Sequence, residues 1–389
     1  MRKKILFLYD SMPFGGVESA LINLVSFLDK EKYDVSVVLL SEHGDMYEEA
    51  KRRIPMKSVF EKFIPFQNRI IRKVRSVIIN FLEKKRPKYP RLYHRFAIGG
   101  GYDMEISFNQ YESRKVIANS SNKHSKKILW IHENFIADEH TTVYWKGLPE
   151  PKKGFRAYDR LVFVSKVSRE GFNKYEYAKD FSVSVQYNII DRDEIVSKSK
   201  SEIDSRYNIA DVPDVFCAVG RLVELKGFVR LVNICAALKK KGLNFKLILV
   251  GDGPEREKIE KAIADNGVQD IVIMTGYDDN PYKYVARSKF FVCSSFTEGL
   301  PVVCQEALAL GIPVVSSFPS VGELFGDETC GILSEVDDDS LMAAIEKMLT
   351  DEEFYRKCKA GAEKRAEYFD PRNSVKQIEK MFDELLENS

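Results

Sequence analysis

The sequence predicts an α/β fold made of two doubly wound, parallel-sheet domains that face each other across a cleft. Three observations predict it: short apolar runs rich in β-branched and aromatic residues alternate with helical patterns, this series occurs once in each half, and a polar, charged stretch divides the two series.

In the first half, strand patterns fall at 4–9, 35–40, 104–108, 127–131 and 161–164. Directly after Gly15 and Gly16, apolar residues at Val17, Leu21, Leu24, Val25 and Leu28 recur at helical spacing and mark the first amphipathic helix. The second half repeats the scheme with strand patterns at 215–219, 245–250, 271–274, 290–293 and 313–315, each followed by a loop and a helical pattern. Residues 191–213 (DRDEIVSKSKSEIDSRYNIADVP) hold few large apolar side chains, which places a linker at 191–212 between a first domain over 1–190 and a second over 213–370. A helical tract at 371–386, opened by Pro371, suits a first helical turn and closes the chain; the segment 371–389 is expected to pack back toward the first domain.

With 389 residues and 44% hydrophobic content, the chain can fill two ordinary cores, which excludes a disordered protein. All six cysteines lie between Cys217 and Cys358, with no C-x-x-C pair and no clustered histidines, as expected for free thiols in a reducing cytoplasm rather than a disulfide or zinc framework. The apolar run at 5–9 is too short for a signal sequence or a membrane span and reads as a buried strand. Net charge is only +2, yet residues 51–96 carry 15 lysines and arginines against two acids, Glu61 and Glu83. Within them, 69–85 shows an apolar helical stripe flanked by Arg69, Arg72, Lys73 and Arg75. Two readings stand side by side: a basic helix lying on an anionic membrane surface at the inner face of the cell membrane, or a stripe packed on the sheet with solvated cations. Nucleic acid is not expected as a partner, since no recognition motif accompanies the charge.

The segment 290–315, FFVCSSFTEGLPVVCQEALALGIPVV, reads as a buried strand, a loop at 294–300, and a helix started by Pro301 and stopped by Gly311. Ligands of such sheets bind beyond the strand C-termini, where helix N–H groups favour anions; the amides of Gly299, Leu300 and Val302 are placed for that work. Glu298 lies in the loop, whereas Glu306 lies about a turn and a half into an otherwise apolar helix. A carboxylate there needs a partner, because an unmatched buried charge costs several kcal/mol, and a ribose diol offers two hydroxyls. Upstream, AVGRLVELKGF sets Gly220, Arg221 and Lys226 between a strand and a helix, a fork and a point charge suited to a diphosphate. LVGDGPE reads as a tight turn and not as a dinucleotide fingerprint, because position 256 is arginine.

In these residues the chain resembles retaining glycosyltransferases of family 4, which have the GT-B fold and include bacterial enzymes of polysaccharide and glycolipid assembly. The resemblance rests on Glu298-x7-Glu306 within TEGLP…EALALGIPVV and on Arg221-x4-Lys226, and it is specific mainly over 220–315. It implies that Glu298 binds a hydroxyl of the donor sugar, Glu306 the ribose, and Arg221 with Lys226 the pyrophosphate. It also implies a base site after the strand at 271–274, with Tyr277 as a candidate neighbour. In the first half, Gly16 would border the donor phosphates, and His132, which follows the strand in KKILWIHENF, would lie near the anomeric carbon. For Gly15–Gly16 a simple tight turn, and for His132 a hydrogen-bonded core position, remain open alternatives.

The function so implied is retaining transfer of a hexose or hexosamine from a nucleotide-sugar donor, UDP-linked in most relatives, to a hydroxyl of a glycan or lipid-linked acceptor. Glu298 and His132 would be the catalytic residues, with no metal and no cofactor. A sugar-nucleotide epimerase on the same architecture and a silent nucleotide-binding subunit are the competing readings.

Overall fold

Strands form where the apolar runs are continuous, because a parallel sheet is covered on both faces. The structure, a computed structural model, describes residues 1–57, 77, 81, 88–134, 154–207 and 214–387. The first sheet contains β1 (Lys3–Tyr9), β2 (Tyr33–Leu39), β3 (Met104–Ser107), β4 (Lys126–Ile131), β5 (Arg160–Phe163) and β6 (Val183–Val185) in the order β2-β1-β3-β4-β5-β6. All of its pairings are parallel. Ile5, Leu6, Phe7 and Leu8 at its centre are fully buried. The sequence pattern misses β6, a three-residue edge strand whose side chains are all half-buried and so need no apolar run. Helix α1 (Gly16–Phe27) buries Leu21, Leu24 and Val25, the stripe expected of it. A shorter helix, α2 (Glu112–Ala118), follows β3.

The second sheet is built the same way from β7 (Val215–Val219), β8 (Lys246–Val250), β9 (Val272–Gly276), β10 (Phe290–Cys293), β11 (Val314–Ser316) and β12 (Gly331–Leu333), ordered β12-β11-β10-β7-β8-β9. Phe216 of β7 stacks on Phe290 of β10 at 5.0 Å, which clamps these two strands side by side. The edge strand β12 is again short, partly exposed and absent from the sequence reading.

The chain forms two compact units, Met1–Ile189 with Arg372–Ser389, and Ile190–Pro371. The closing helix, Pro371–Glu387, therefore belongs to the first unit. There Phe382 meets the Tyr33 ring edge-on, and Tyr33 Oη donates to Asp383 at 2.6 Å. The stretch expected as a polar linker instead carries a helix, α3 (Arg192–Ser199), in the second unit. Its cap is Asp191, which accepts from Glu194 N, and its anchor is the buried Ile195. A single buried apolar residue among many charges is too weak a pattern to announce it.

The basic stripe at 69–85 lies outside the described residues except for Val77 and Phe81, whose side chains are 63% and 58% exposed. Among the described residues, no helix is long and apolar enough to cross a membrane. All six cysteines are free and buried.

The strand orders fix where ligands fit. Each sheet changes direction beside its first strand, between β1 and β3 in one unit and between β7 and β10 in the other. Loops leaving the C-terminal ends of such neighbours diverge to opposite faces and open a crevice.

Candidate functional site

In the second unit the diverging loops at the β7/β10 switch are 220–227 and 294–300, and they carry Arg221, Lys226 and Glu298. Leaving β7, the chain bonds Gly220 N to Val250 O, turns through Glu224–Lys226, and enters helix α4 (Phe228–Lys240) at Gly227, whose φ is +65°. Leaving β10, it passes Ser294 to Gly299 and enters helix α5 (Val302–Ala309), with Pro301 as its cap. Three cross-links join the two loops. Ser294 Oγ donates to Lys226 O at 2.8 Å, Phe296 N to Leu225 O at 2.9 Å, and Lys226 Nζ to Glu298 Oε1 at 2.5 Å.

Glu298 is held from its own side as well: the buried Ser295 donates its hydroxyl to the same Oε1 at 2.7 Å, and Cys293 Sγ donates in turn to Ser295 Oγ at 3.6 Å. Ser317 Oγ bonds Ser295 O, so the seryl ends of β10 and β11 brace the loop. With Oε1 doubly engaged, the carboxylate has a fixed orientation and its second oxygen remains for a ligand. Burial would lower the Lys226 pKa, but the Glu298 carboxylate beside it more than reverses this, and the ammonium titrates above its ordinary range. Lys226 is thus a permanent cation with N–H groups to spare. Arg221 stands on the same turn with an exposed side chain.

Glu306 lies on α5, where Tyr282 Oη donates to its Oε1 at 3.0 Å. Burial pushes its carboxyl up to about 7, with Tyr282 and the charge of Lys198 pulling the other way. The partner that an acid on this helix requires is therefore supplied in part by Tyr282, which sequence reasoning missed. Tyr277 follows β9 and is 53% exposed, on the loop that leads to Tyr282. Gly299, Leu300 and Val302 are all buried at the entry to α5, where first-turn N–H groups have no helical acceptor. The structure thus brings Lys226 and Glu298 into direct contact, sets Arg221 on the Lys226 turn, and joins Glu306 to the Tyr277 loop.

In the first unit, Gly15 is extended and caps α1, and Gly16 opens it. A side chain at Gly15 would come within 2.4 Å of Glu18 Oε2, the movable tip of a side chain that also accepts from Tyr9 Oη at 2.8 Å, so Glu18 would have to shift to admit one. His132 follows β4, with its ring packed on Phe108 at 4.8 Å between centroids. Burial lowers its pKa to about 3, the Phe108 main chain countering only in part, and the imidazole is neutral at physiological pH. By strict geometry neither ring nitrogen has a hydrogen-bond partner, although the Phe108 main chain lies near enough to favour the protonated ring, so the core position of the alternative reading stays open. Glu133, beside it, was absent from the sequence-derived site. Its Oε1 accepts from Tyr111 Oη at 2.8 Å, and its carboxyl titrates above the ordinary range because it is buried.

Residues 199–365 match the family model of glycosyl transferases group 1, the part of the chain that holds Arg221, Lys226, Glu298 and Glu306. Over 207 residues the chain is 33% identical to the N-acetylgalactosamine-N,N'-diacetylbacillosaminyl-diphospho-undecaprenol 4-alpha-N-acetylgalactosaminyltransferase of Campylobacter jejuni, covering 51% of this chain and 54% of that protein. It is 23% identical to an uncharacterized glycosyltransferase of Haemophilus influenzae over 91% of this chain and 92% of the other. The chain spans about half the length of the first curated relatives it matches. Among solved structures, Anabaena HepE in complex with UDP and glucose superposes with a TM-score of 0.76 at 19% identity, over 98% of this chain and all of that one. The fold is accordingly GT-B, two Rossmann-like units each with a six-stranded parallel sheet.

Proposed function

We propose that this protein is a retaining glycosyltransferase that moves a hexose or hexosamine from a UDP-sugar to a hydroxyl of a glycan or lipid-linked acceptor in polysaccharide or glycolipid assembly. The observation that carries the proposal is the Lys226–Glu298 pair at the β7/β10 switch, with Arg221 on the same turn. Departure of a nucleoside diphosphate concentrates negative charge, which the fixed cations Arg221 and Lys226 stabilise without a metal or cofactor. Glu298, with one oxygen committed to Lys226 and Ser295, orients the sugar through the other. The acceptor hydroxyl attacks from the leaving-group face, so configuration is retained, and neutral His132 contributes hydrogen bonds rather than charge. The lipid-linked acceptor of the Campylobacter relative and the UDP bound to HepE support the substrate classes chosen.

Incubation with a panel of nucleotide sugars, with and without acceptor glycans, tests the reading by nucleoside diphosphate release. Release that depends on acceptor is expected. A changed sugar without acceptor would instead make the protein an epimerase, and binding without turnover a silent subunit.

Glu306 gives the reading a pH signature. As an ionised acceptor of ribose hydroxyls it binds donor best when deprotonated, so donor affinity is expected to rise with pH through about 7 and level off above. The sign for stability is opposite. A carboxyl whose folded pKa is raised above its ordinary 4.5 destabilises the fold increasingly as pH climbs from there to about 7. Glu306→Gln is therefore expected to flatten the pH dependence of donor KM and to raise Tm at pH 8 but not at pH 4; a Tm unchanged at both would contradict the burial argument.

Association with an anionic membrane surface at the cytoplasmic face is part of the same proposal. In addition to the exposed Val77 and Phe81, residues 88–96 carry exposed Tyr89, Leu92 and Phe96 together with exposed Lys88, Arg91 and Arg95, an apolar and cationic combination suited to lipid headgroups. Co-sedimentation with liposomes is expected to rise with phosphatidylglycerol content and fall with salt; indifference to both would remove this part.

A further inference from the structure

Glu306, the acid on α5, is bound by a side chain from another loop of the second unit. Tyr282 Oη donates to its Oε1 at 3.0 Å across 24 residues of chain, and both residues keep part of their surface in solvent, where a ligand can reach them. The helical turn that carries the phenol, Tyr282–Val285, is itself fixed. Asp278 accepts from Tyr284 Oη at 2.9 Å and pairs with Lys283 at 2.8 Å. Asn280 Nδ2 donates to Lys198 O at 2.9 Å and to Ser201 Oγ at 3.2 Å, and Arg287 donates to Ser199 O at 3.1 Å, which ties the turn to the end of α3. The phenol therefore meets Glu306 as a placed group and not as a loose surface side chain.

A phenol that donates to a carboxylate favours its charged form, whereas burial disfavours it. Burial wins at Glu306, whose carboxyl stands at about 7; Tyr282 is the larger of the two influences that oppose it, ahead of the charge of Lys198. The other charged and titratable groups on the elements packed against α5 have partners of their own or stand away from the carboxyl. Lys283 pairs with Asp278, and Lys198 itself also pairs with Glu194 at 2.6 Å, while Arg192 and Asp193 lie at the opposite end of α3. On the helix Glu352–Ala366, Lys359 and Glu363 pair at 3.3 Å beside Gly311, past the end of α5, and Glu367 of the next turn is exposed. The strand β10 contributes the Cys293 thiol, which bonds Ser295. Loss of the phenol therefore has a definite sign: the carboxyl rises further and its neutral form extends to higher pH.

We propose that Tyr282 is a positioning residue of the nucleotide site: its phenol holds one oxygen of Glu306 and presents the other to the ribose of the donor. The inference rests on the reading of Glu306 as the ribose acceptor and adds a residue that acts through it. A carboxylate pinned at one oxygen is kept from turning, so the acceptor stands in place before the donor arrives and less freedom is lost on binding.

The test has a ligand-free arm and a donor arm. Carbon-13 NMR of protein labelled at the glutamate carboxyls, with the Glu306 signal assigned by its loss in Glu306→Gln, follows the titration of Glu306 alone. Tyr282→Phe is expected to move its midpoint up by about one pH unit, the scale of one hydrogen bond to a charged group. Calorimetry with UDP-glucose then reads the consequence: the variant binds about fivefold more weakly than native protein at pH 7 and within about 1.5-fold of it at pH 8.5, where Glu306 is ionised in both. A merely structural role for Tyr282 would instead weaken binding by one factor at every pH. Site-specific 3-fluorotyrosine at position 282 keeps ring and hydroxyl but donates more strongly, so it is expected to move the midpoint down, and it serves if Tyr282→Phe does not fold. A Glu306 midpoint unmoved by the variants that fold, or a loss of affinity independent of pH, would overturn the proposal. Native protein that binds no UDP-glucose at any pH would sink the nucleotide-sugar reading itself, an outcome told apart by the ligand-free titration, which needs no donor.

Discussion

Lys226→Ala is expected to lower kcat by about 10²-fold or more, the scale seen when one preorganised electrostatic contact to a developing charge is removed. The magnitude follows from two losses. One is the cation that receives the departing diphosphate. The other is the partner of Glu298, whose side chain is only 14% exposed and whose Oε1 loses its 2.5 Å ion pair, leaving Ser295 as its remaining support. Because one substitution disturbs both groups, Lys226→Ala and Glu298→Ala should be strongly non-additive: the double variant is expected to be scarcely slower than the worse single one. The two singles separate in binding. Lys226→Ala weakens UDP itself, whereas Glu298→Ala spares UDP and removes only the added affinity of the UDP-sugar. Lys226→Arg is not expected to restore the rate, because a planar fork cannot occupy the place of a point charge set 2.5 Å from Glu298. Stopped-flow kinetics and calorimetry decide it, and near-native turnover of Lys226→Ala would defeat the assignment.

The central strands, α1 and the strand-loop-helix at 290–315 were legible because each is an uninterrupted signal: β-branched and aromatic runs for buried parallel strands, a helical stripe after Gly15–Gly16, and Pro301 and Gly311 bracketing a helix. The elements missed carry weaker signals. β6 and β12 are short edge strands whose side chains are partly exposed, and α3 hides one buried isoleucine within a charged run. In the candidate site, Arg221, Lys226, Glu298 and Glu306 could be singled out because charge next to buried strands or on an apolar helix demands an explanation. Ser295, Tyr282 and Glu133 could not, since a hydroxyl in a loop or an acid after a histidine is ordinary in sequence and acquires a role only through a neighbour distant in the chain. Tyr282 reaches Glu306 from 24 residues away, and Tyr111 reaches Glu133 from 22. Likewise the polar context of His94 gives no hint that the fold buries it 3.2 Å from the fully buried Glu105.

Gly227→Ala is expected to lower activity as severely as loss of Lys226, and to destabilise the second unit too. Gly227 has φ of +65°, a left-handed conformation that costs an alanine about 1 kcal/mol or more. Its Cα also faces the other loop so closely that a Cβ would lie 2.3 Å from the Ser294 carbonyl oxygen. That oxygen belongs to main chain continuous with β10 and cannot rotate aside as a side-chain tip would. Relief therefore has to come from moving the 220–227 turn away from the 294–298 loop, which stretches the Ser294–Lys226 and Phe296–Leu225 hydrogen bonds and draws Lys226 Nζ off Glu298. A displacement of about 1 Å at such a site is enough for about 10²-fold in rate. Conformational strain and overpacking together amount to about 3 kcal/mol, or a fall in Tm of about 6–12 °C for a unit of this size. Gly227→Asn separates the two causes. Asparagine tolerates positive φ better than alanine but still carries a Cβ, so the clash predicts that it is nearly as inactive, whereas a purely conformational penalty predicts substantial recovery. Recovery of native kcat in Gly227→Asn would show that the turn can yield without parting Lys226 from Glu298, and the close packing of the two loops would then not be what sets the geometry of the pair.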